Sequence, residues 1–339
     1  MKKAVMLGGG RAGVVTVPDP CPKEDWALVK VHVAPMCAEY KAYQAGDAGD
    51  GFGHEAAGEV VAVAQPCGVS VGDRVVVMPL YPCGRCPLCR AGEYIHCEHP
   101  YDFAAFTGAP DGWATMAQYV LKPAWLLPKI PDDLSYEHAA MACCGLGPTF
   151  GACDRMAVST FDTVLITGMG PVGLGGVINA RYRGARVLAV EAHPWRAERA
   201  RRLGAEAVID PRREDALRQI LDLTGGVGVD KAIDCAGVPA AHRLCIDATR
   251  RQGQVAFVGE CLEQTPVRVS PDLIRKGLTL HGVWHYNLAR VPAIMQVIRA
   301  SRAALDLLIS HTFPLDRVED AWRLQASGEC AKVLLKPWE

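Results

Sequence analysis

No stretch of the 339-residue chain approaches the roughly eighteen consecutive apolar residues that cross a bilayer, so a membrane-spanning helix is excluded. Nor is there a surplus of either charge. Lys and Arg number 36 against 37 Asp and Glu, so no overall field draws the protein to nucleic acid or to an anionic membrane. The opening MKKAVMLGGG has two lysines but no apolar core of a secretory signal, and the expected compartment is the cytoplasm. Internal repeats and low-complexity tracts are lacking too, which excludes solenoid and array architectures. What the chain has is cysteine. Fourteen thiols in a reducing compartment point to metal binding or burial rather than to disulfides.

The length is too great for one ordinary core, and two domains are expected. The first 140 or so residues read as β-rich: ALVKVHV, GEVVAVA and DRVVVMP are short Val-rich runs broken by Gly, Pro and Asp. From about residue 160 the rhythm changes to strands such as DTVLIT, ARVLAV and DKAIDCAG, separated by helix-length segments. That alternation predicts a parallel sheet with crossover helices. The fold class is therefore α/β, with a β-rich part preceding the parallel sheet. The last fifty residues return to mixed character. The basic run RAERARRLGA reads as the solvated face of one helix.

Cys83, Cys86, Cys89 and Cys97 stand as C-x2-C-x2-C-x7-C. Gly and Pro between them let one loop fold its thiolates around a single zinc ion, and four thiolates leave no open position, so the role is structural. An iron–sulfur cluster also uses closely spaced cysteines.

G-x-G-x-x-G occurs twice. GGGRAG (Gly8 to Gly13) leads into VVTVPDP, a second strand, and reads as a hairpin. GMGPVG (Gly168, Gly170, Pro171, Val172, Gly173) follows TVLIT and opens a helix-compatible segment, as a pyrophosphate-binding turn does. Eighteen residues beyond Gly173 the next strand ends in Glu191, placed to accept hydrogen bonds from the adenosine ribose. A carboxylate there repels a 2′-phosphate and favours NAD over NADP. Arg196, one helical turn on, is a candidate neighbour of that ribose.

Three segments remain: MCAEY with Cys37 and Glu39, GHEAAGEV with His54 and Glu55, and ACCGLGPTFGA with Cys143 and Cys144. Together with GDRVVV, CGRCPLC…C, GMGPVG and SGECAKVLLKP, in that order, they give the chain a resemblance along nearly its whole length. It resembles the zinc-containing medium-chain dehydrogenases, the alcohol and polyol dehydrogenase family. The resemblance implies a GroES-like β-rich catalytic domain (residues 1–146 with a return at 285–339) and an inserted Rossmann NAD-binding domain (147–284), with the substrate in the cleft between them. It implies two zinc ions per chain. One is catalytic, on Cys37, His54 and Cys144, with Cys144 preferred to Cys143 because it stands six residues before Phe150. The other is structural, on Cys83, Cys86, Cys89 and Cys97. Glu55 matches the acid behind the catalytic zinc, and Lys332 a basic residue near the cofactor pyrophosphate. A homodimer or homotetramer is expected.

The chain departs from its relatives just after Cys37. Glu39 stands where a Ser or Thr hydroxyl usually begins a proton relay, Tyr40 where an Asp is common, and Ala42 where some members carry a relay histidine. Glu39 is then a general base, a binder of substrate hydroxyls, an occasional zinc ligand, or a partner of a nearby Lys or Arg. Together with His285, Tyr286 and Asn287 of WHYN it favours a polar secondary alcohol, polyol or sugar and the corresponding carbonyl. Phe103, Phe106 and Trp113 line the outer cleft or pack their own loop. The alternatives are a dehydrogenase of simple alcohols or amino alcohols, a zinc-free quinone or enone reductase, and a zinc-ribbon binding module.

Overall fold

The computed structural model describes all 339 residues, Met1–Glu339. The chain divides into two compact units, one of residues Met1–Gly145, Asn287–Arg299 and Ile309–Glu339, the other of Leu146–Tyr286 and Ala300–Leu308. No helix is long and apolar enough to cross a membrane.

The first unit begins with β1 (Lys2–Gly8) and β2 (Arg11–Thr16), an antiparallel hairpin extended by β4 (Ala48–Gly49). The first G-x-G-x-x-G is thus a hairpin, as its sequel of β-branched residues requires. Gly9 and Gly10, at φ +61° and +70°, make the turn. A second sheet runs β14 (Ile309–Pro314), β15 (Lys332–Lys336), β3 (Trp26–Pro35), β5 (Ala56–Val63), β6 (Arg74–Val77), with β7 (Tyr119–Pro123) also on β3. Strand β3 leaves Lys30 and His32 partly exposed and buries Val29, Val31 and Val33, an alternation that fixes which face meets the core. Trp322, fully buried in the helix Val318–Ser327, stacks on Tyr43 and meets Phe52 edge-on, so the chain's last helix closes the core beneath residues 40–53.

One charged side chain lies inside this unit without a carboxylate partner. Lys122 of β7 is 2% exposed; its Nζ donates to Leu80 O at 2.7 Å and sits 3.8 Å from the centre of the Tyr81 ring. Burial pulls its ammonium down from 10.5 to about 7. Between those two values the unfolded chain binds a proton that the folded chain lacks, so stability rises with pH through that window. Below pH 7 both states hold the proton and the penalty is constant. Lys122→Met is expected to unfold at higher urea concentration than the wild type at pH 7. That gain should shrink by roughly 2–4 kcal/mol as the pH approaches 10.

The second unit holds six parallel strands in the order β10 (Ala207–Ile209), β9 (Arg186–Val190), β8 (Thr163–Thr167), β11 (Val229–Asp234), β12 (Thr249–Phe257), β13 (Thr279–Gly282). TVLIT and RVLAV bury four of five residues each, because helices cover both faces. Three crossover helices, Pro171–Tyr182, Pro194–Arg202 and Pro239–Ala248, begin with proline, whose missing N–H costs nothing in the first turn. The strand order reverses direction at β8 and β11. In such sheets a crevice for ligands opens there, beyond the carboxyl ends of the strands.

Candidate metal centres and dinucleotide site

Residues 83–97 form a knuckle built from the short helix Pro87–Arg90 and one turn at Tyr94–His96. Backbone N–H groups point at sulfur throughout: Cys83 N to Cys97 Sγ at 3.2 Å, Cys86 N to Cys83 Sγ at 3.4 Å, and Cys89 N to Cys86 Sγ at 3.5 Å. Such donors favour thiolates. Although burial opposes it, the amides of Arg85 and Cys86 bring the Cys83 thiol down to about 6. The four sulfur atoms lie within 4.8 Å of one another, and Cys83, Cys86 and Cys89 are buried. This set fits a closed four-thiolate metal site. Asn287 fastens it from far along the chain. Its side-chain amide donates to Ala91 O at 2.7 Å and to Glu93 Oε1 at 2.9 Å.

The second cluster has a different character. Sγ of Cys37 and Cys144, a ring nitrogen of His54 and a carboxylate oxygen of Glu55 also lie within 4.8 Å of one another, yet both thiols and the imidazole are partly exposed. Cys37 ends the segment after β3, His54 and Glu55 precede β5, and Cys144 follows the helix Tyr136–Ala140. Neighbouring Cys143 is fully buried with its thiol on Val77 O, leaving Cys144 to face the cluster. Cys144 Sγ is 3.4 Å from His54 Nε2. The Cys144 thiol drives the Cys37 thiol well below its usual range, and Cys144 is pushed up in return. Burial opposes charge on His54, but Cys37 and the Glu39 carboxylate outweigh it and raise the imidazole to about 11. Two sulfurs and one nitrogen crowded together in this way are a fitting set for zinc with one position left open.

Glu39 is folded back onto this cluster. Its Oε2 accepts from the Cys37 N–H at 2.9 Å and its Oε1 stands 3.0 Å from His54 Nδ1. Both oxygens therefore face the donor set, and no Lys or Arg pairs with the carboxylate. Glu55 is wholly buried; its Oε2 accepts from Cys144 N at 3.0 Å and its Oε1 is 3.9 Å from His54 Nε2.

Lys332 requires a correction. Expected beside a cofactor pyrophosphate, it is 0% exposed and its Nζ is 2.6 Å from Glu55 Oε1, also 0% exposed. An ammonium sealed against a buried carboxylate is not free to receive a phosphate; it balances the charge behind the thiols. The expected polar wall of WHYN is corrected as well. His285 and Tyr286 are buried, Tyr286 edge-on to Phe150, and Asn287 is spent on the cysteine knuckle. Phe103 and Phe106 pack on Trp26, whereas Trp113 is 41% exposed and lies against Gly51, where a Cβ would stand 1.8 Å from the indole.

In the second unit, Gly168 to Gly173 form the turn between β8 and the helix Pro171–Tyr182. Gly168 has φ +79°, and a Cβ on Gly173 would meet Gly168 O at 1.8 Å, so neither position tolerates a side chain. A Cβ on Gly170 would meet nothing within 4 Å, leaving open room for a group to approach the backbone. Pro171 and Val172 supply the first turn of the helix. Glu191, just past β9, accepts from the N–H groups of Met169, Ala192 and His193, each at 2.8 Å, so one carboxylate fixes the glycine turn and the next loop together. Arg196 Nε is buried without a hydrogen-bond partner, an orphaned donor on the helix that follows Glu191. An open glycine cradle, an acid after the second strand and a spare guanidinium donor fit a dinucleotide.

Fold and donor sets together define a zinc-binding, dinucleotide-type oxidoreductase, and comparison with known proteins agrees. Residues 23–132 match the family described as alcohol dehydrogenase GroES-like domain, and residues 171–300 match zinc-binding dehydrogenase. A sorbitol dehydrogenase of Bacillus subtilis (strain 168) is 32% identical over 99% of this chain and 97% of its own length. An erythritol/L-threitol dehydrogenase of Mycolicibacterium smegmatis is 33% identical over 95% of this chain and 93% of its own. Among solved structures, an alcohol dehydrogenase from Thermus sp. ATN1 superposes with a TM-score of 0.89 at 29% identity, covering 99% of each chain. The chain belongs to the zinc-containing medium-chain alcohol dehydrogenase family.

Proposed function

We propose that the protein is an NAD-dependent dehydrogenase of a polar secondary alcohol, such as a polyol or sugar hydroxyl, or of the corresponding carbonyl. It carries two zinc ions per chain. The observation that carries this reading is the contrast between the two cysteine clusters: one closed and buried, the other a partly exposed set of Cys37, His54 and Cys144. Polyols are what two relatives of high coverage are named for. Glu191 favours NAD over NADP, because its carboxylate would face a 2′-phosphate.

Bound zinc supplies Lewis acidity that polarises an alcohol or carbonyl oxygen, and the nicotinamide carries the hydride. The chain's own residues do the rest. Cys37, His54 and Cys144 hold the metal. Glu39, whose carboxylate accepts from the Cys37 N–H and faces His54 Nδ1, acts as a positioning residue. Glu55 holds the Cys144 backbone, and Lys332 keeps that buried carboxylate compensated. Gly168, Gly170, Pro171, Val172 and Gly173 cradle the pyrophosphate, with Glu191 and Arg196 at the ribose. A second copy of the chain is the expected partner: β13 is an edge strand, and exposed Val269 and Ile274 lie in the segment before it.

The test is metal content with a substrate panel. Two zinc ions per chain and NADH formation from polyols, exceeding that from aliphatic alcohols, are expected. One zinc per chain with no turnover of any alcohol would overturn the reading.

A further inference from the structure

The carboxyl ends of β8, β11 and β12 meet at one buried residue. Asp234, the last residue of β11, is 0% exposed. Its Oδ1 accepts from Thr167 Oγ1 at 2.8 Å, across the point where the strand order reverses, and from Ala236 N at 3.2 Å. Its Oδ2 accepts from Gly237 N at 3.1 Å and stands 3.2 Å from His242 Nε2. The other side of that imidazole continues the chain of contacts: His242 Nδ1 is 2.6 Å from Thr265 Oγ1, in the loop between β12 and the turn Val269–Ile274.

Backbone contacts draw the same loops together. Val258 N and Gly259 N both donate to Asp234 O, at 2.9 and 3.0 Å. A Cβ on Gly237 would stand 2.4 Å from Glu260 O, and one on Gly168 would stand 2.8 Å from Ala236 Cα. The glycine turn, the loop after β11 and the loop after β12 are thus packed without slack. Thr265 is the outermost fastening, half-exposed and twenty-three residues beyond His242 in sequence. The imidazole thus bridges the two, with Nε2 facing the Asp234 carboxylate and Nδ1 in hydrogen-bond contact with the threonine hydroxyl.

We propose that Asp234, His242 and Thr265 form a latch that presets the loop after β12 for the dinucleotide, with His242 and Thr265 as positioning residues for cofactor affinity. The proposal rests on the NAD reading above. Ligands of open parallel sheets bind where the strand order reverses, and a loop already held in place there loses less freedom when the cofactor arrives. The latch acts on binding, so it moves the cofactor's dissociation constant and KM and leaves kcat at saturating NAD unchanged.

NADH titrations of the zinc-loaded enzyme, followed by nicotinamide fluorescence, test this. Thr265→Val and His242→Ala are each expected to weaken NADH about five- to tenfold, the worth of one net hydrogen bond. The double variant should be no weaker than the poorer single one, because both break the same contact. Thr265→Ser should restore wild-type affinity. Unchanged NADH affinity in folded Thr265→Val, or fully additive losses in the double variant, would overturn the latch. A wild-type enzyme that binds no NADH would instead overturn the dinucleotide reading, and the latch with it.

Discussion

Glu39→Gln is expected to lower the zinc affinity of the Cys37–His54–Cys144 centre by about ten- to a hundredfold while leaving the fold intact. The reason lies in the chemistry of the replaced group. Glu39 faces a donor on each side: the Cys37 N–H at 2.9 Å and His54 Nδ1 at 3.0 Å. When Nε2 ligates a metal, Nδ1 carries the proton. A carboxylate accepts on both sides, whereas an amide has one accepting oxygen and one donating NH2, so glutamine sets donor against donor at one contact. Competition with a chromophoric chelator reads the loss directly. Activity should fall with metal occupancy and recover in excess zinc. A variant that stays fully zinc-loaded yet loses kcat and one limb of its pH profile would make Glu39 a proton carrier instead.

The largest expected effect on stability belongs to Lys332→Met. Removing that ammonium leaves the fully buried Glu55 carboxylate with the Cys144 N–H as its hydrogen-bond donor and His54 Nε2 more distant at 3.9 Å. Leaving one member of a buried ion pair uncompensated costs about 3–5 kcal/mol. The pH dependence has a definite sign. Burial already raises Glu55 from 4.5 to about 7 against the pull of Lys332. Folded Glu55 therefore holds a proton that the unfolded group releases between those values, and the group's contribution to stability falls as pH rises through that window. Without Lys332 the folded value climbs higher and the decline continues past pH 7. Urea unfolding should therefore show a modest deficit near pH 5 and the full one near pH 8. Lys332→Met/Glu55→Gln, which removes both charges, should recover most of it.

These two residues also show where sequence reading succeeds and where it stops. The four-cysteine knuckle, the glycine turn with the helix it opens and the charged helix of RAERARRLGA are legible, because each is a local pattern whose physics is complete within about twenty residues. GGGRAG forms a hairpin for the same reason: β-branched residues follow it. Lys332 was misread because its partner lies 277 residues away, and only the placement of β15 beside β3 brings them together. A lysine inside the apolar run KVLLK was the available signal. The polarity of WHYN was legible, but not its direction; Asn287 turns to a loop nearly two hundred residues earlier. Glu39 was recognised as anomalous from its position, yet its partner at His54 emerged only with the turn between them.

Asn287 and Lys332 together bear on how the protein is made. The cysteine knuckle and the residues around His54 leave the ribosome early, but the side chain that fastens the knuckle follows some 190 residues later. The strand that completes the first unit's sheet, β15, follows the whole parallel sheet in the chain. The six-stranded parallel sheet, by contrast, is an unbroken segment finished by residue 282. A nascent chain therefore carries a completed nucleotide-type sheet while Glu55 still awaits its counter-charge. In this protein the middle of the message is ready to fold before its beginning is finished.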